Sequence, residues 1–353
     1  MPLDHYVTLG CSGLRISPLC LGTMTFGEAW GWGASVADSE AILASFLDRG
    51  GNFVDTANFY TKGQSEQIIG DVLARDPSRR HRIVLATKFG VNPYPGDPNG
   101  GGTSTKTIIE ACEQSLKRLR TDYIDLYWQH VWDPFTPIDE TMRALDSLVT
   151  SGKVRYVGFS DTPAWKTAQA QTLACFRGWT KLIALQIEYS LLQRTVEDEL
   201  TPMAKEMGLG VIAWSPLAGG LLSGKYRRQT GPVQQGGRSD SRAAMLGERE
   251  FGIVDALVEI ASAHGVAPAA IALAWVLHRP GIAAPIVGAR TTEQLLANVT
   301  ALDVVLSADE IHRLDKLSAP PGTFLDWVRS MTPASVQCGA TINGQDSNVN
   351  PLI

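Results

Sequence analysis

Four polar side chains stand where short apolar segments end, and their types together suggest proton transfer to an oxygen. Asp55 and Tyr60 close the stretch Asn52-Phe53-Val54-Asp55-Thr56-Ala57-Asn58-Phe59-Tyr60, and Lys88 ends Ile83-Val84-Leu85-Ala86-Thr87-Lys88. His130 follows Tyr123-Ile124-Asp125-Leu126-Tyr127-Trp128-Gln129. A lysine ending an apolar strand is costly to bury alone and calls for a carboxylate, which Asp55 can supply. A phenol holds its proton near neutral pH, with an ordinary pKa of about 10. A cationic Lys88 beside Tyr60 would favour the phenolate and make Tyr60 a workable general acid. Asp55 would fix the ammonium, and His130 could donate to a substrate carbonyl and orient it. Such a set protonates the oxygen of a carbonyl under reduction, while the hydride must come from a cofactor.

Each of these residues alone has an ordinary structural explanation: a turn cap, an anchoring aromatic or an interior histidine. Their joint placement at three successive strand ends favours catalysis. The elements that must position them alternate along the chain. Candidate strands cover residues 18–23, 52–56, 83–88, 123–128, 154–159, 183–187, 210–214 and 283–287. Amphipathic helical patterns lie near 37–50, 65–75, 105–120, 138–151, 164–177, 197–207, 268–278 and 292–301. Gly50-Gly51, Gly152 and Gly208 stop helices, while Pro163, Pro268 and Thr292-Glu293 start them. Strict alternation implies parallel pairing with right-handed crossovers, and eight units suggest a closed (β/α)₈ TIM barrel of the α/β class. An open doubly wound sheet is the alternative, because alternation alone does not decide closure.

Outside the repeat, Val7–Gly10 and Leu14–Ser17 form an N-terminal β-hairpin around Cys-Ser-Gly. Residues 91–104 are a Pro/Gly-rich loop after the third strand, and residues 217–248 a long loop after the seventh. An extra helix near 249–264 precedes the last barrel unit. On a barrel both loops belong at the catalytic end. The division expected is one domain over residues 1–318 and a polar, helix-poor tail over 319–353 as a candidate cover of the site.

Composition removes several classes of function. Lys and Arg number 31 against 36 Asp and Glu, a net charge of −5. With no basic stripe, nucleic acid and anionic membranes are not expected partners. The longest apolar run, Ala269–Leu277, is too short to span a bilayer. Five scattered cysteines without a CxxC pair, and no secretion signal, fit a cytoplasmic protein with reduced thiols. No metal site is expected, because the remaining histidines are isolated. Gly219-Gly220-Leu221-Leu222-Ser223-Gly224-Lys225 imitates a phosphate loop, but Tyr226 stands where magnesium binding needs Ser or Thr. It reads better as a cofactor-covering lid, with Lys225 near a pyrophosphate. Gly31-Trp32-Gly33 lacks the third glycine of a dinucleotide fingerprint.

Over roughly residues 7 to 317 the chain resembles an aldo-keto reductase. The resemblance rests on Leu21-Gly22-Thr23-Met24, on Asp55 to Tyr60 with Gly63-Gln64-Ser65-Glu66, and on Ala86-Thr87-Lys88. It continues through Tyr123 to His130, Gly152 to Ser160, Gln186 to Ser190 and Trp214-Ser215-Pro216-Leu217. It implies that Asp55, Tyr60, Lys88 and His130 are the catalytic set, that the cofactor is NADPH/NADP+, and that the substrate is a small carbonyl compound or alcohol. By the same resemblance Ser160, Asp161 and Gln186 would hold the nicotinamide amide and Trp214 would stack under its ring. Ser215, Pro216, Leu217 and Gly219 would meet the pyrophosphate, and Gly22, Thr23 and Met24 would lie beside the nicotinamide. Asp161 stands where the family commonly has Asn, and Ala297 removes one adenine contact.

The last helix would take the adenosine end. It opens at Gly288-Ala289-Arg290-Thr291-Thr292, where free amides favour an anion and Arg290 adds a fork for a phosphate. Gln294 and Asn298, one turn apart, can reach adenine together. Trp30, Trp32 and Trp132, in loops after strands one and four, would line an apolar substrate pocket. Two rival functions remain open on sequence grounds: a nucleotide-sensing regulatory subunit of the same fold, and a sugar-metabolising barrel without nicotinamide.

Overall fold

A computed structural model describes residues 1–226 and 246–351 of the chain. Eight parallel strands close on one another: β3 (Cys20–Gly22), β4 (Phe53–Asp55), β5 (Val84–Phe89), β6 (Ile124–Gln129), β7 (Val154–Ser160), β8 (Leu182–Glu188), β9 (Gly210–Trp214) and β10 (Ile282–Gly288). β10 pairs with both β9 and β3, which decides for the TIM barrel and against the open sheet. β1 (Val7–Thr8) and β2 (Arg15–Ile16) form the expected antiparallel hairpin, Val7 opposite Ile16. It plugs the N-terminal end of the barrel. Leu9 and Ile16 are fully buried with the interior residues Phe53, Leu126, Trp128 and Ile212. Gly10 permits this seating: its φ is +56°, and a Cβ there would lie 2.4 Å from the Ile183 carbonyl oxygen.

The interior is a packed core, so the functional question is which residues lie above it. Side chains alternate along a strand, and residues two apart share a face. Phe53 on β4, Ala86 on β5, Trp128 on β6, Ala184 on β8 and Ile212 on β9 pack together inside. Two residues further on stand Asp55, Lys88, His130, Gln186 and Trp214. The pleat that buries the apolar layer therefore lifts a polar layer to the C-terminal mouth. Register sets the heights: Gly22 pairs with Asp55, Asp55 with Ala86, Lys88 with Trp128.

Helices cover the barrel and bury the outward faces of the strands. Ser35 and Ser104 cap Val36–Asp48 and Thr105–Leu119 by accepting from backbone N–H groups. Pro268 opens Pro268–Leu277, an almost wholly buried helix held between the extra helix Glu248–His264 and the barrel. Among the described residues no single helix is long and apolar enough to cross a membrane.

Three helices depart from the sequence reading, the shortest being the single turn Pro77–Arg80. Ala308–Ser318 was not anticipated, although Ser307 and Glu310 form the reciprocal bonds of a capping box. The tail is not helix-poor: Phe324–Val336 is helical, capped by Thr323 and Asp326, despite Pro333 within it. This helix is exposed and is tied down by Arg329, whose guanidinium lies 2.6 Å from Asp198. None of the described residues beyond 318 lines the cleft at the mouth. Of the loop expected over 217–248, residues Ala218–Ser223 form a kinked turn in which Gly219 and Gly220 are left-handed, and residues 227–245 lie outside the described residues.

Candidate active site

The polar layer surrounds one cleft of about 600 Å³ at the C-terminal mouth. Lys88 is fully buried beneath it, and its ammonium contacts the Asp55 carboxylate. It also donates to the Thr56 carbonyl at 2.9 Å and lies 3.2 Å from the Tyr60 hydroxyl. The second Asp55 oxygen accepts from Gln186 Nε2 at 3.1 Å. Burial works against charge on both partners. On Lys88 the neighbouring Asp55 and Tyr60 oxygens outweigh it and hold the ammonium above its ordinary value. Burial pushes the Asp55 carboxyl up, while Lys88 and Gln186 pull it back. Coulomb attraction and three hydrogen bonds thus keep an ammonium where hydrocarbon would expel it.

Tyr60 reaches this ammonium because the chain turns sharply after β4. Thr61, Lys62 and Gly63 are left-handed, with φ of 47°, 58° and 86°. Buried hydroxyls pin that turn. Thr61 Oγ1 donates to the Phe26 carbonyl at 2.7 Å, and Ser65 Oγ donates to the Thr23 carbonyl at 2.8 Å and contacts Thr56 at 3.0 Å. Beneath them Glu66, fully buried, accepts from Thr87 and from Arg118, each at 2.6 Å. Of these positioning residues, Thr56, Ser65, Glu66 and Thr87 stand in the motifs above without a role, and Thr61 and Arg118 lie outside them. The signal was a run of small hydroxyl residues beside a buried carboxylate.

His130 meets Tyr60 edge-on, ring centroids 5.8 Å apart, and Phe59 at 5.3 Å. Its Nδ1 is buried without a hydrogen-bond partner. Burial, and secondarily the Lys88 charge, hold the imidazole well below its ordinary value of 6.5, so it is neutral at pH 7. A neutral ring protonated on the other nitrogen can donate a hydrogen bond into the cleft.

From Tyr60 the cleft runs past Ser160, Asp161, Gln186 and Trp214, then past Ser215, Pro216, Leu217, Gly219 and Lys225. It ends among Gly288, Arg290, Gln294, Ala297 and Asn298. Ser215, Ala218, Gly219 and Gly220 all have positive φ, between 50° and 101°, a backbone form that turns N–H groups toward an anion. At the far end Thr291 caps the helix Thr292–Val299. Gln294 accepts from the Arg290 N–H at 2.9 Å, and Asn298 donates to the Gly288 carbonyl at 3.4 Å. Both amides shape the loop that presents Arg290. On the opposite wall Gly22 and Met24 line the cleft. A Cβ on Gly22 would meet Ile286 at 2.4 Å, so β3 can approach β10 only with glycine there.

Three expected residues lie elsewhere. Thr23 is fully buried below the cleft, donating to the Asp55 carbonyl at 3.0 Å, because its side chain points away from the strand face that carries Gly22. Trp132 turns to the helix Ala164–Arg177 and packs edge-on against Trp165 at 5.9 Å; it does not line the cleft. Trp30 sits behind Trp32 and Phe59, at 5.6 and 5.8 Å, with only Trp32 and Phe59 facing the cleft. That loop is held by Gln64, whose Oε1 accepts from the Glu28 N–H at 3.0 Å.

The sequence model of the Aldo/keto reductase family matches residues 18–319. An uncharacterized oxidoreductase of Bacillus subtilis, YrpG, is 40% identical, the alignment covering 90% of this chain and 97% of that protein. Norsolorinic acid reductase of Emericella nidulans is 38% identical over 88% of this chain and 80% of its own. An aryl-alcohol dehydrogenase of Pestalotiopsis microspora is 36% identical over 88% of this chain and 81% of its own.

Proposed function

The chain belongs to the aldo/keto reductase family, and on that premise we propose that it reduces an aldehyde or ketone with NADPH, Tyr60 giving the proton to the oxygen. The family and its reductase-named relatives make carbonyl reduction the general chemistry. The observation that carries the finer reading is the 3.2 Å contact between Lys88 and Tyr60 on the wall of the cleft. An ammonium at that distance stabilises the phenolate left after proton donation. Asp55 keeps the ammonium charged and in place. His130, neutral, donates to the substrate oxygen and orients it towards Tyr60.

A bound nicotinamide supplies the hydride, which no side chain here can. The cleft suits such a group along its length. Gln186 and Ser160 offer amide partners, Trp214 offers a flat apolar face, and the left-handed turn at Ser215 to Gly220 offers N–H groups to a pyrophosphate. Arg290, exposed beside a helix start, favours a 2′-phosphate and hence NADPH over NADH. Trp32 and Phe59 on the wall, with Trp30 behind, favour an aryl carbonyl, in keeping with the name of the aryl-alcohol dehydrogenase relative. The test is NADPH consumption with a panel of aryl and alkyl aldehydes. Turnover preferring aryl members is expected. Binding of NADPH without consumption by any carbonyl would overturn the reading.

A further inference from the structure

Asp161 lines the cleft, and among the described residues its carboxyl has no ion-pair partner. Its backbone N–H donates to the Gln186 carbonyl at 3.1 Å, and its φ of 43° turns the side chain off the end of β7. There Oδ1 accepts from the Trp214 indole N–H at 3.0 Å. Among the described residues no lysine or arginine forms an ion pair with it. The charged groups facing it are Lys88 from β5 and Glu188 from β8, which act in opposite directions. A carboxylate whose polar partners, the Trp214 indole N–H and the Ser160 hydroxyl, are both neutral, set at the edge of a flat indole, is placed to meet a flat cation.

Resting on the cofactor reading above, we propose that the Asp161 carboxylate makes this cleft favour the oxidised, cationic nicotinamide over the reduced, neutral one, and that protonating Asp161 removes the preference. The two redox states differ by one positive charge on the ring, whereas their phosphates are alike. A single fixed anion beside the ring distinguishes them by Coulomb attraction. Desolvation, with Glu188 adding to it and the Trp214 bond opposing, pushes the Asp161 carboxyl from 3.8 up to about 6. The preference therefore appears as pH rises through that value.

The competing role is a structural one, in which the carboxyl only orients Trp214. Asp161→Asn separates the two, since an amide oxygen still accepts from the indole but carries no charge. Calorimetric titration of NADP+ and NADPH, from about pH 5 to about pH 8, reads the ratio of their dissociation constants; titration of the phosphates cancels in that ratio. In the native protein the relative affinity for NADP+ should rise by about tenfold or more over this range. Binding of NADP+ near the midpoint should release a proton that binding of NADPH does not. In Asp161→Asn the ratio should stay flat and the extra proton release should vanish. If both nucleotides bind but the native ratio is flat and equal to that of the variant, the inference fails and the cofactor reading stands. If neither nucleotide binds the native protein, both fail.

Discussion

Lys88 Nζ lies 3.2 Å from the Tyr60 hydroxyl oxygen, with the Asp55 carboxylate also against the ammonium. The lysine rises from a barrel strand, and the tyrosine arrives on a left-handed turn after the neighbouring strand. Removing either partner should separate chemistry from stability. Tyr60→Phe keeps the ring packing against Phe59 and His130, so folding and NADPH binding should survive while kcat falls about 10²–10⁴-fold. Lys88→Met should lose a similar factor and also unfold at lower temperature, because Asp55 is left buried without its cation. Single-turnover kinetics and thermal midpoints on both variants check this. Full activity in Tyr60→Phe would refute the assignment.

Arg290 is exposed at the end of the cleft, presented by a loop that Gln294 and Asn298 brace. Charge-assisted hydrogen bonds to a phosphate contribute about 1.5–3 kcal/mol. Arg290→Ala should therefore weaken NADPH by roughly 10- to 100-fold and leave NADH nearly unchanged. Equal losses for the two would show that the 2′-phosphate is held elsewhere.

Trp32 lines the cleft, while Trp132 packs against Trp165 outside it. Trp32→Ala should raise KM for bulky aryl aldehydes more than for small alkyl ones, and Trp132→Ala should change the two alike or not at all. Steady-state kinetics with one aldehyde of each size decides the matter. The opposite ranking would put the substrate wall on the other side of the mouth.

Glu66 is wholly buried and accepts from both Arg118 and Thr87. Replacing it with Ala strands the guanidinium and empties the space beneath the Tyr60 turn, at a cost of about 3–5 kcal/mol. Denaturant unfolding measures the loss. A change below about 1 kcal/mol would mean that water replaces the carboxylate without penalty.

The His130 imidazole, depressed by burial and by Lys88, gives the native state a pH dependence. Below its ordinary value of 6.5 the unfolded chain binds a proton that the folded chain refuses. Acidification through and below that value therefore costs stability, and the loss continues until the folded imidazole itself titrates. The thermal midpoint should fall between about pH 7 and pH 5, more steeply in the native protein than in His130→Gln. Identical slopes would mean that His130 is protonated as readily in the fold as outside it.

The alternation of strands and helices, the hairpin and the four polar strand ends were all legible in the residues, because periodicity and strand-end chemistry are local. The helix Ala308–Ser318 carries a local start signal as well, in the capping box of Ser307 and Glu310. Phe324–Val336 was obscured by Pro333 and by its exposed apolar residues, which no core required to be helical. Thr23 and Trp132 could not be placed from sequence. Each sits in a segment correctly assigned to the mouth, and only the direction of the side chain takes it away from the cleft.

By itself the sequence determined which chemistry was available: an ammonium, a carboxylate and an imidazole at or just after strand ends, and a phenol five residues beyond one of them. Tertiary structure decided what those groups do to one another. Closure of the ring through β10 and β3, the left-handed turn at Thr61 to Gly63, and the tether from Asp161 to Trp214 join residues far apart in the chain. Proton transfer and charge selection depend on a few ångströms of separation and on how much water is excluded. Neither quantity is a property of a residue or of its neighbours in sequence; both arise only when the strands are packed side by side.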